Sequence, residues 1–174
     1  MQRIEIKQVS LDDLGQLQEI YRSTFVETFA DDNSEENIAE YLANGFSVEK
    51  LTDELNDPNS QFYFAQIDGQ AIGYLKVNRG ASQTEIRDSH ALEIERIYAL
   101  KAYHGKHVGK LLYEKALEIS KQNEIEYMWL GVWEKNPRAL RFYQKIGFQE
   151  FDKHIFTLGN EKQTDIMMKL HLNY

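Results

Sequence analysis

The chain has 174 residues, with 20 Lys and Arg against 28 Asp and Glu, a net charge of −8 and no cysteine. This length predicts a single domain, 1–174, because domains mostly hold about 100–200 residues. The missing cysteine excludes disulfides, thiolate metal sites and a thiol nucleophile, and the negative charge argues against nucleic acid or an anionic membrane as partner.

The first third of the sequence predicts one short strand followed by helices. Residues 4–9 fit a strand, and Ser10 with two acids close behind it fits a helix N-terminus. Apolar residues from Leu14 to Phe29 follow helical spacing, and two shorter helical patterns come next, the second ending at Pro58. No apolar run reaches the length of a signal peptide or membrane span, so we expect a cytoplasmic protein.

The middle of the sequence predicts antiparallel strands. Residues 61–67 and 71–78 flank Asp68-Gly69, a dipeptide typical of tight hairpin turns. Residues 79–90 are polar and predict a loop before another strand at 92–100.

The remaining segments predict a strand–helix–strand unit and a closing hairpin. A helix from Val108 and an apolar strand at 127–132 give, with the preceding strand, a parallel pair joined by a right-handed crossover. Another helix runs from near Asn136-Pro137 to Ile146 and stops at Gly147, and residues 148–157 and 164–172 fit an antiparallel pair. The fold class is therefore α/β, or mixed α+β, with helices on both faces of a mixed sheet.

The charge is unevenly distributed. Seven acids and no Lys or Arg lie between Arg22 and Lys50, either as a solvated helix face or as a wall that faces a cationic ligand. The opposite bias occurs from Lys101 to Lys110, where three lysines and two histidines occur without an acid. This basic loop is either a plain connection or an anion site, since free N–H groups at a helix N-terminus attract phosphate.

The loop and the segments around it resemble the GNAT superfamily of acetyl-CoA-dependent N-acetyltransferases. The family pattern R/Q-x-x-G-x-G/A between strand and helix falls on His104, His107 and Gly109, so that histidines stand at the first position and at the first glycine. The resemblance extends over residues 92–98, 129–136 and 142–148, and with residues 60–62 and 163–165 it is closest to the bacterial PaiA-type spermidine/spermine N-acetyltransferases.

The resemblance implies a mixed, mostly antiparallel sheet of about seven strands with helices on both faces and one parallel unit at the site of acetyl-CoA, the acetyl donor. It implies cofactor contacts from three groups of residues. These are Ile97, Tyr98 and Ala99 for the pantetheine arm, the loop His104, Gly105, Lys106, His107, Val108, Gly109 and Lys110 for the pyrophosphate, and Asn136, Tyr143 and Lys145 in the next helix. Taken alone, Asn136 is also a helix cap and Lys145 a solvated residue.

The resemblance further implies the catalytic residues. Tyr143 matches the general acid that protonates the departing thiolate, and Glu93 or Glu95 is the candidate base, although both are also candidates for structural ion pairs. Without cysteine, the acetyl group passes directly from donor to acceptor. The two histidines of the loop are three residues apart, but in a loop this spacing does not place them on one face, and we expect no metal.

The implied function is acetylation of a primary amine of a small polycation such as spermidine or spermine. Asp31, Asp32, Glu35 and Glu36 are the predicted substrate-binding acids. The alternatives are another amine (an aminoglycoside, an amino acid or a protein N-terminus) and a non-catalytic acetyl-CoA-binding regulatory module. We expect no nucleic acid or membrane partner, and either a monomer or a homodimer.

Overall fold

The structure is a computed structural model that describes residues 2–45 and 47–173. The predicted single domain extends to the two terminal residues, which lie outside this range. The elements in chain order are β1 (Glu5–Gln8), α1 (Leu14–Phe29), α2 (Glu35–Gly45), α3 (Val48–Asn56), β2 (Ser60–Ile67), β3 (Gln70–Arg79), β4 (Ala91–Ala99), α4 (Val108–Gln122), β5 (Tyr127–Trp133), α5 (Pro137–Ile146), β6 (Gln149–Leu158) and β7 (Glu161–His171).

Within the described residues the strands form one seven-stranded sheet in the order β1-β2-β3-β4-β5-β7-β6. Every neighbouring pair is antiparallel except β4 and β5, which are parallel and joined through α4. The predicted fold class, a mixed and mostly antiparallel sheet with one parallel unit, is confirmed. Strand β7 begins earlier than predicted, at Glu161, because its pairing with β6 continues to the turn.

Local sequence signals account for the ends of several elements. Ser10 and Asp13 form a capping box at the start of a short 3-10 turn that leads into α1. Asp68 and Gly69 take positive φ angles of 50° and 80° in the β2–β3 hairpin, as a tight primed turn requires. Helix α5 ends at Gly147, whose φ of 120° suits glycine.

The sheet has an apolar core on each face. Helices α4 and α5 cover one face, where Leu112 and Ala116 of α4 are completely buried. Helices α1, α2 and α3 cover the other, with Leu17 and Leu51 completely buried. Among the described helices, none has the length and apolar content to cross a bilayer.

The parallel pair separates soon after it begins. Strands β4 and β5 pair only at Ala91, Leu92 and Glu93, which lie opposite Tyr127, Met128 and Trp129. Beyond this point β4 continues along β3 and β5 continues along β7, and a register shift near Glu95 bends β4. The two central strands therefore splay apart and open a cleft in the middle of the sheet.

Candidate active site

The cleft between the splayed strands has a volume of about 610 Å³. Its walls come from β4, β5, α1, the first turns of α5, and the β6–β7 hairpin. This volume suits a ligand of small-molecule size, and the position between diverging strands gives the ligand access to backbone groups.

The β4 side of the cleft is an unpaired strand edge. Ile97, Tyr98 and Ala99 pair with β3 on one side, and on the side that faces β5 they have no strand partner among the described residues. An extended chain that carries amide groups fits such an edge, because it can pair with the backbone as an added strand does.

The loop after β4 has the geometry of an anion site. Gly105 and His107 take positive φ angles of 78° and 66°, and α4 begins immediately afterwards at Val108. The His104 ring donates from Nε2 to the Ala99 carbonyl oxygen at 3.0 Å. Partial burial, and then the charge of Arg138, lower the pKa of His104, so the ring is neutral at pH 7. His104 lines the cleft, whereas residues 105–110 lie beyond its lining.

Tyr143 reaches the cleft from α5. The ring is buried and meets Phe142 and Phe148 edge-on, at centroid distances of 5.3 and 5.5 Å. Burial raises the pKa of Tyr143, and the nearby Tyr98 adds to this effect. The phenol is therefore protonated at all physiological pH values, as a proton donor must be.

The two candidate bases have different surroundings. Glu93 is 3% exposed and accepts hydrogen bonds from Asn78 Nδ2 (2.9 Å), Thr84 N (2.8 Å) and Thr84 Oγ1 (2.5 Å). Burial raises the pKa of Glu93 despite these hydrogen bonds.

Glu95 lies in a network of charges. Burial alone raises the pKa of Glu95, but Arg96 and Lys76 outweigh burial and hold it below its usual value. The Glu95 carboxylate lies 2.9 Å from Arg96 Nη2 and 3.0 Å from Lys76 Nζ. A carboxylate stabilised in this way is a weak proton acceptor, so its geometry fits a structural role better than that of a base.

Comparison with known proteins decides the family. The model of the acetyltransferase (GNAT) family matches residues 14–148, a span from α1 to the end of α5 that contains the splayed strands and the loop before α4. The chain belongs to this GNAT family. The resemblance drawn from the sequence is confirmed, and the chain is an N-acetyltransferase by this membership and by the names of its relatives.

Two relatives and one solved structure match this GNAT protein over most of both chains. An uncharacterized N-acetyltransferase in the pepI 3′ region of Lactobacillus delbrueckii subsp. lactis is 41% identical over 97% of this chain and 98% of its own. The spermidine N(1)-acetyltransferase of Thermoplasma acidophilum is 31% identical over 86% of this chain and 90% of its own. A crystal structure of PaiA N-acetyltransferase from Thermoplasma acidophilum in complex with coenzyme A has a TM-score of 0.81 and 28% identity, covering 98% of this chain and 99% of that one.

Several predicted site residues of this acetyltransferase lie together. Those that line the cleft are Glu93, Glu95, Ile97, Tyr98, Ala99, His104, Asn136 and Tyr143. The Asn136 side chain accepts a hydrogen bond from Ala139 N at 3.2 Å, so it also caps α5. Lys145 is exposed near the end of the same helix and does not line the cleft.

The predicted acidic wall lies elsewhere. Asp31, Asp32, Glu35 and Glu36 are exposed in the turn between α1 and α2 and at the start of α2, and none of them lines the cleft. Helical periodicity explains this position, because it turns Phe25 and Phe29 of α1 into the cleft and the chain then leaves it. We therefore do not assign these four acids direct contact with an acceptor.

Other residues of the cleft were not predicted from the sequence. The carboxylates of Glu27, Glu85 and Asp165 line it without having been predicted as site residues. Asp165 lies on β7 directly opposite Trp133 of β5. Gly131 in the middle of an apolar strand is the available signal, since glycine inside a strand often marks a close approach. Within the described part of the chain, no group of three or more His, Asp and Glu side chains is arranged to hold a metal ion.

Proposed function

We propose that this GNAT protein transfers the acetyl group of acetyl-CoA directly to a primary amine of a small polycation such as spermidine or spermine. The observation that carries the proposal is the lining of the cleft, which combines carboxylates with a continuous set of aromatic rings beside an unpaired strand edge. The similarity to a spermidine N(1)-acetyltransferase over most of both chains supports the choice of acceptor.

The side of the site formed by β4 and the N-terminus of α4 fits acetyl-CoA, the acetyl donor. The free edge at Ile97, Tyr98 and Ala99 offers backbone partners for the amides of pantetheine. The N-terminus of α4, preceded by the left-handed turn at Gly105 and His107, offers free N–H groups to the pyrophosphate. Lys106 and Lys110 are exposed beside this turn and add positive charge, while Asn136 and Lys145 remain our candidates for further contacts.

The side of the cleft lined by α1, α2 and β5 fits the alkyl ammonium group of an acceptor amine. Phe25 and Tyr41 stack with a centroid distance of 4.2 Å, and Phe29 packs against Trp133 at 4.7 Å. Such rings bind methylene groups by burial and ammonium groups through their π faces. Glu27 and Asp165 place negative charge in the same lining.

Two proton transfers accompany the chemistry. A primary ammonium with a pKa near 10.4 costs about 4–5 kcal/mol to deprotonate at pH 7, so a base close to the amine is required. Tyr143 protonates the thiolate that leaves. Of the two bases predicted from the sequence, Glu93 is the better candidate because ion pairs hold Glu95 in its charged form. With no cysteine in the chain, no acetyl-cysteine intermediate forms.

An assay of free thiol tests the proposal. The purified protein is mixed with acetyl-CoA and, separately, with spermidine, spermine, an aminoglycoside, an amino acid and a peptide with a free N-terminus. We expect thiol release with the polyamines at the highest kcat/KM of the panel. A higher kcat/KM for another amine contradicts the polyamine assignment, and acetyl-CoA binding by calorimetry without thiol release for any amine supports a non-catalytic binding module instead.

A further inference from the structure

The carboxylates that line the cleft differ in how many of their oxygen lone pairs are already used. Both oxygens of Glu93 accept hydrogen bonds from Asn78 or Thr84. Both oxygens of Glu95 lie against Lys76 or Arg96. A general base needs an oxygen lone pair that can face the proton it removes. In Glu93 and Glu95, neighbouring donors already occupy at least one lone-pair direction on each oxygen.

Asp165 differs from the other carboxylates of the cleft in having no such partner within the described part of the chain. Glu27 accepts a hydrogen bond from Lys101 N, and Glu85 contacts His154 Nδ1. Among the described residues no side chain or backbone group donates a hydrogen bond to the Asp165 carboxylate. Gly131 of β5 lies beside it, and a Cβ atom at this glycine would be 3.2 Å from Asp165 Oδ2. A side chain at residue 131 would therefore crowd Asp165 Oδ2, and glycine leaves this oxygen uncovered on that side.

A separate observation at this end of the cleft also indicates a ligand. Two tryptophans lie on the same face of β5, and Trp129 donates from Nε1 to Gln83 Oε1 at 2.7 Å. Trp133 is 5% exposed and lines the cleft, yet its Nε1–H has no hydrogen-bond acceptor among the described residues. A buried donor without a partner is costly, and a bound group with an acceptor oxygen removes this cost.

The groups around Asp165 come from three elements. His154 on β6 and Glu85 in the loop before β4 contact each other through the His154 Nδ1 atom and the Glu85 carboxylate. Tyr98 on β4 lines the same cleft, and the charge of Asp165 contributes to the raised pKa of this tyrosine. Burial raises the pKa of Asp165 to about 6, while His154 lowers it and Glu85 raises it further.

We propose that the Asp165 carboxylate is the base that removes a proton from the acceptor ammonium before it attacks the acetyl thioester. The inference rests on the proposed function, because it requires an amine in the cleft. It departs from the sequence-based prediction, which gave this role to Glu93 or Glu95. In its place Glu93 holds the loop at Thr84 and the strand at Asn78, and Glu95 holds β4 to Lys76.

The proton balance of the transfer is complete with this assignment. The ammonium nitrogen loses two protons as the N–C bond forms and the C–S bond breaks. Asp165 takes the first proton and returns it to solvent through the open end of the cleft. Tyr143 gives its proton to the sulfur of coenzyme A and regains one from the nitrogen, which becomes the amide nitrogen of the product.

The pH dependence of kcat/KM tests Asp165. The wild type and the variants Asp165→Asn and Glu93→Gln are assayed from about pH 5 to about pH 10 with the amine of the panel that reacts best. We expect an acid limb with a midpoint near pH 6 in the wild type. In Asp165→Asn this limb is lost, and kcat/KM at neutral pH falls by about 10²–10⁴-fold. Because free amine accumulates as the pH approaches about 10, the defect shrinks there.

The control variant is Asp152→Asn, an exposed acid on β6 outside the lining of the cleft, which we expect to keep the wild-type profile. A folding defect in Asp165→Asn is detected by its thermal unfolding and lowers the rate equally at all pH values. An acid limb that persists in Asp165→Asn and disappears in Glu93→Gln overturns the assignment in favour of Glu93. The identity of the amine that reacts best decides the proposed substrate independently of this limb. A wild type that acetylates no amine contradicts both proposals.

Discussion

Lys76 Nζ lies 3.0 Å from Glu95 Oε1, and the two side chains are only 6% and 18% exposed. The pair joins β3 to β4 close to the point where β4 leaves β5. Glu54 of α3 lies 3.2 Å from the same Nζ, and Arg96 Nη2 lies 2.9 Å from Glu95. This network ties α3 to β4, the strand that forms one wall of the cleft. It explains why Glu95, although it lines the cleft, has a structural role.

Glu95→Gln therefore reduces stability more than it reduces catalysis. Removing one charge from a buried pair leaves its partner poorly compensated, and we expect a loss of about 3 kcal/mol in the free energy of unfolding at pH 7. The folded-state pKa of Glu95 is lowered, so its contribution is present above the unfolded value near 4.5 and is lost as the pH falls through the folded value. Urea unfolding at pH 7 and at pH 3 measures both effects.

The matched control for this substitution is Glu118→Gln. Glu118 forms an ion pair with Lys115 at 3.3 Å on the surface of α4, and its side chain is 53% exposed. Exposed pairs of this kind contribute about 0.3–0.5 kcal/mol, so the variant should unfold almost as the wild type does. A Glu95→Gln protein that keeps wild-type stability but loses turnover would instead make Glu95 a catalytic group.

Tyr143→Phe tests the proton donor. We expect kcat to fall by about 10²–10⁴-fold, the usual contribution of general acid catalysis, with little change in affinity for acetyl-CoA. Stability should change little, because the Tyr143 hydroxyl makes no hydrogen bond to any described side chain. The control is Tyr113→Phe on α4, a half-buried tyrosine that also meets Phe148 edge-on but lies outside the lining of the cleft. Equal rates for the two variants would exclude Tyr143 as the acid.

His107→Gly tests whether the loop before α4 binds the pyrophosphate of coenzyme A. His107 holds a left-handed conformation with φ of 66°, which costs non-glycine residues about 1–2 kcal/mol. Glycine removes this cost but adds freedom to the unfolded chain, so we expect the free energy of unfolding to rise by about 1 kcal/mol or less. Calorimetry should also show tighter binding of coenzyme A, because the backbone N–H groups become more accessible. His107→Val, with a β-branched side chain at the same φ, should change both quantities in the opposite direction.

The sequence predicts the elements of this fold well and the cleft less well. Hydrophobic periodicity and the signals at Asp68-Gly69, Pro58 and Gly147 give the helices and strands, because these signals are local. The separation of β4 from β5 depends on long-range strand pairing, so it could be predicted only from the family resemblance. Asp165 was missed because its cross-strand pairing with Trp133 brings it to the cleft. The glycine at position 131 signals a close approach but does not identify the residue that makes it.

The predicted acidic wall illustrates the same limit. Charge clustering in the sequence is real, but the structure turns the aromatic residues of α1 toward the cleft and leaves Asp31, Asp32, Glu35 and Glu36 in water. Their remaining influence on a cation acts over distance and is screened within about 8 Å at physiological salt.

Replacing these four acids by Asn and Gln should therefore change the KM for a polyamine in a salt-dependent way. We expect a clear increase at low ionic strength, where the acids attract a cation toward the cleft, and almost none at physiological salt. The kcat should not change. Steady-state kinetics at two salt concentrations measures the effect, and Glu40, Glu49 and Asp53, exposed acids of α2 and α3, provide a control set of similar charge. An increase in KM that persists at high salt would indicate direct contact.

Asp165→Asn should stabilise the protein while it inactivates the enzyme. Burial raises the pKa of Asp165 from 3.8 to about 6, so the folded protein binds the proton more tightly than the unfolded chain does. The associated stability is complete below the unfolded value of 3.8 and is lost as the pH rises through about 6. At pH 8 the charged carboxylate therefore destabilises the wild type by up to about 3 kcal/mol, a cost that the neutral amide avoids. Thermal unfolding at pH 4 and pH 8 should show similar midpoints at the lower pH and a higher midpoint for the variant at the upper pH. A higher midpoint for the variant at pH 8 is the expected result for a buried carboxylate without a compensating partner, whereas a variant that is less stable at pH 8 would mean that Asp165 forms stabilising contacts in its charged form.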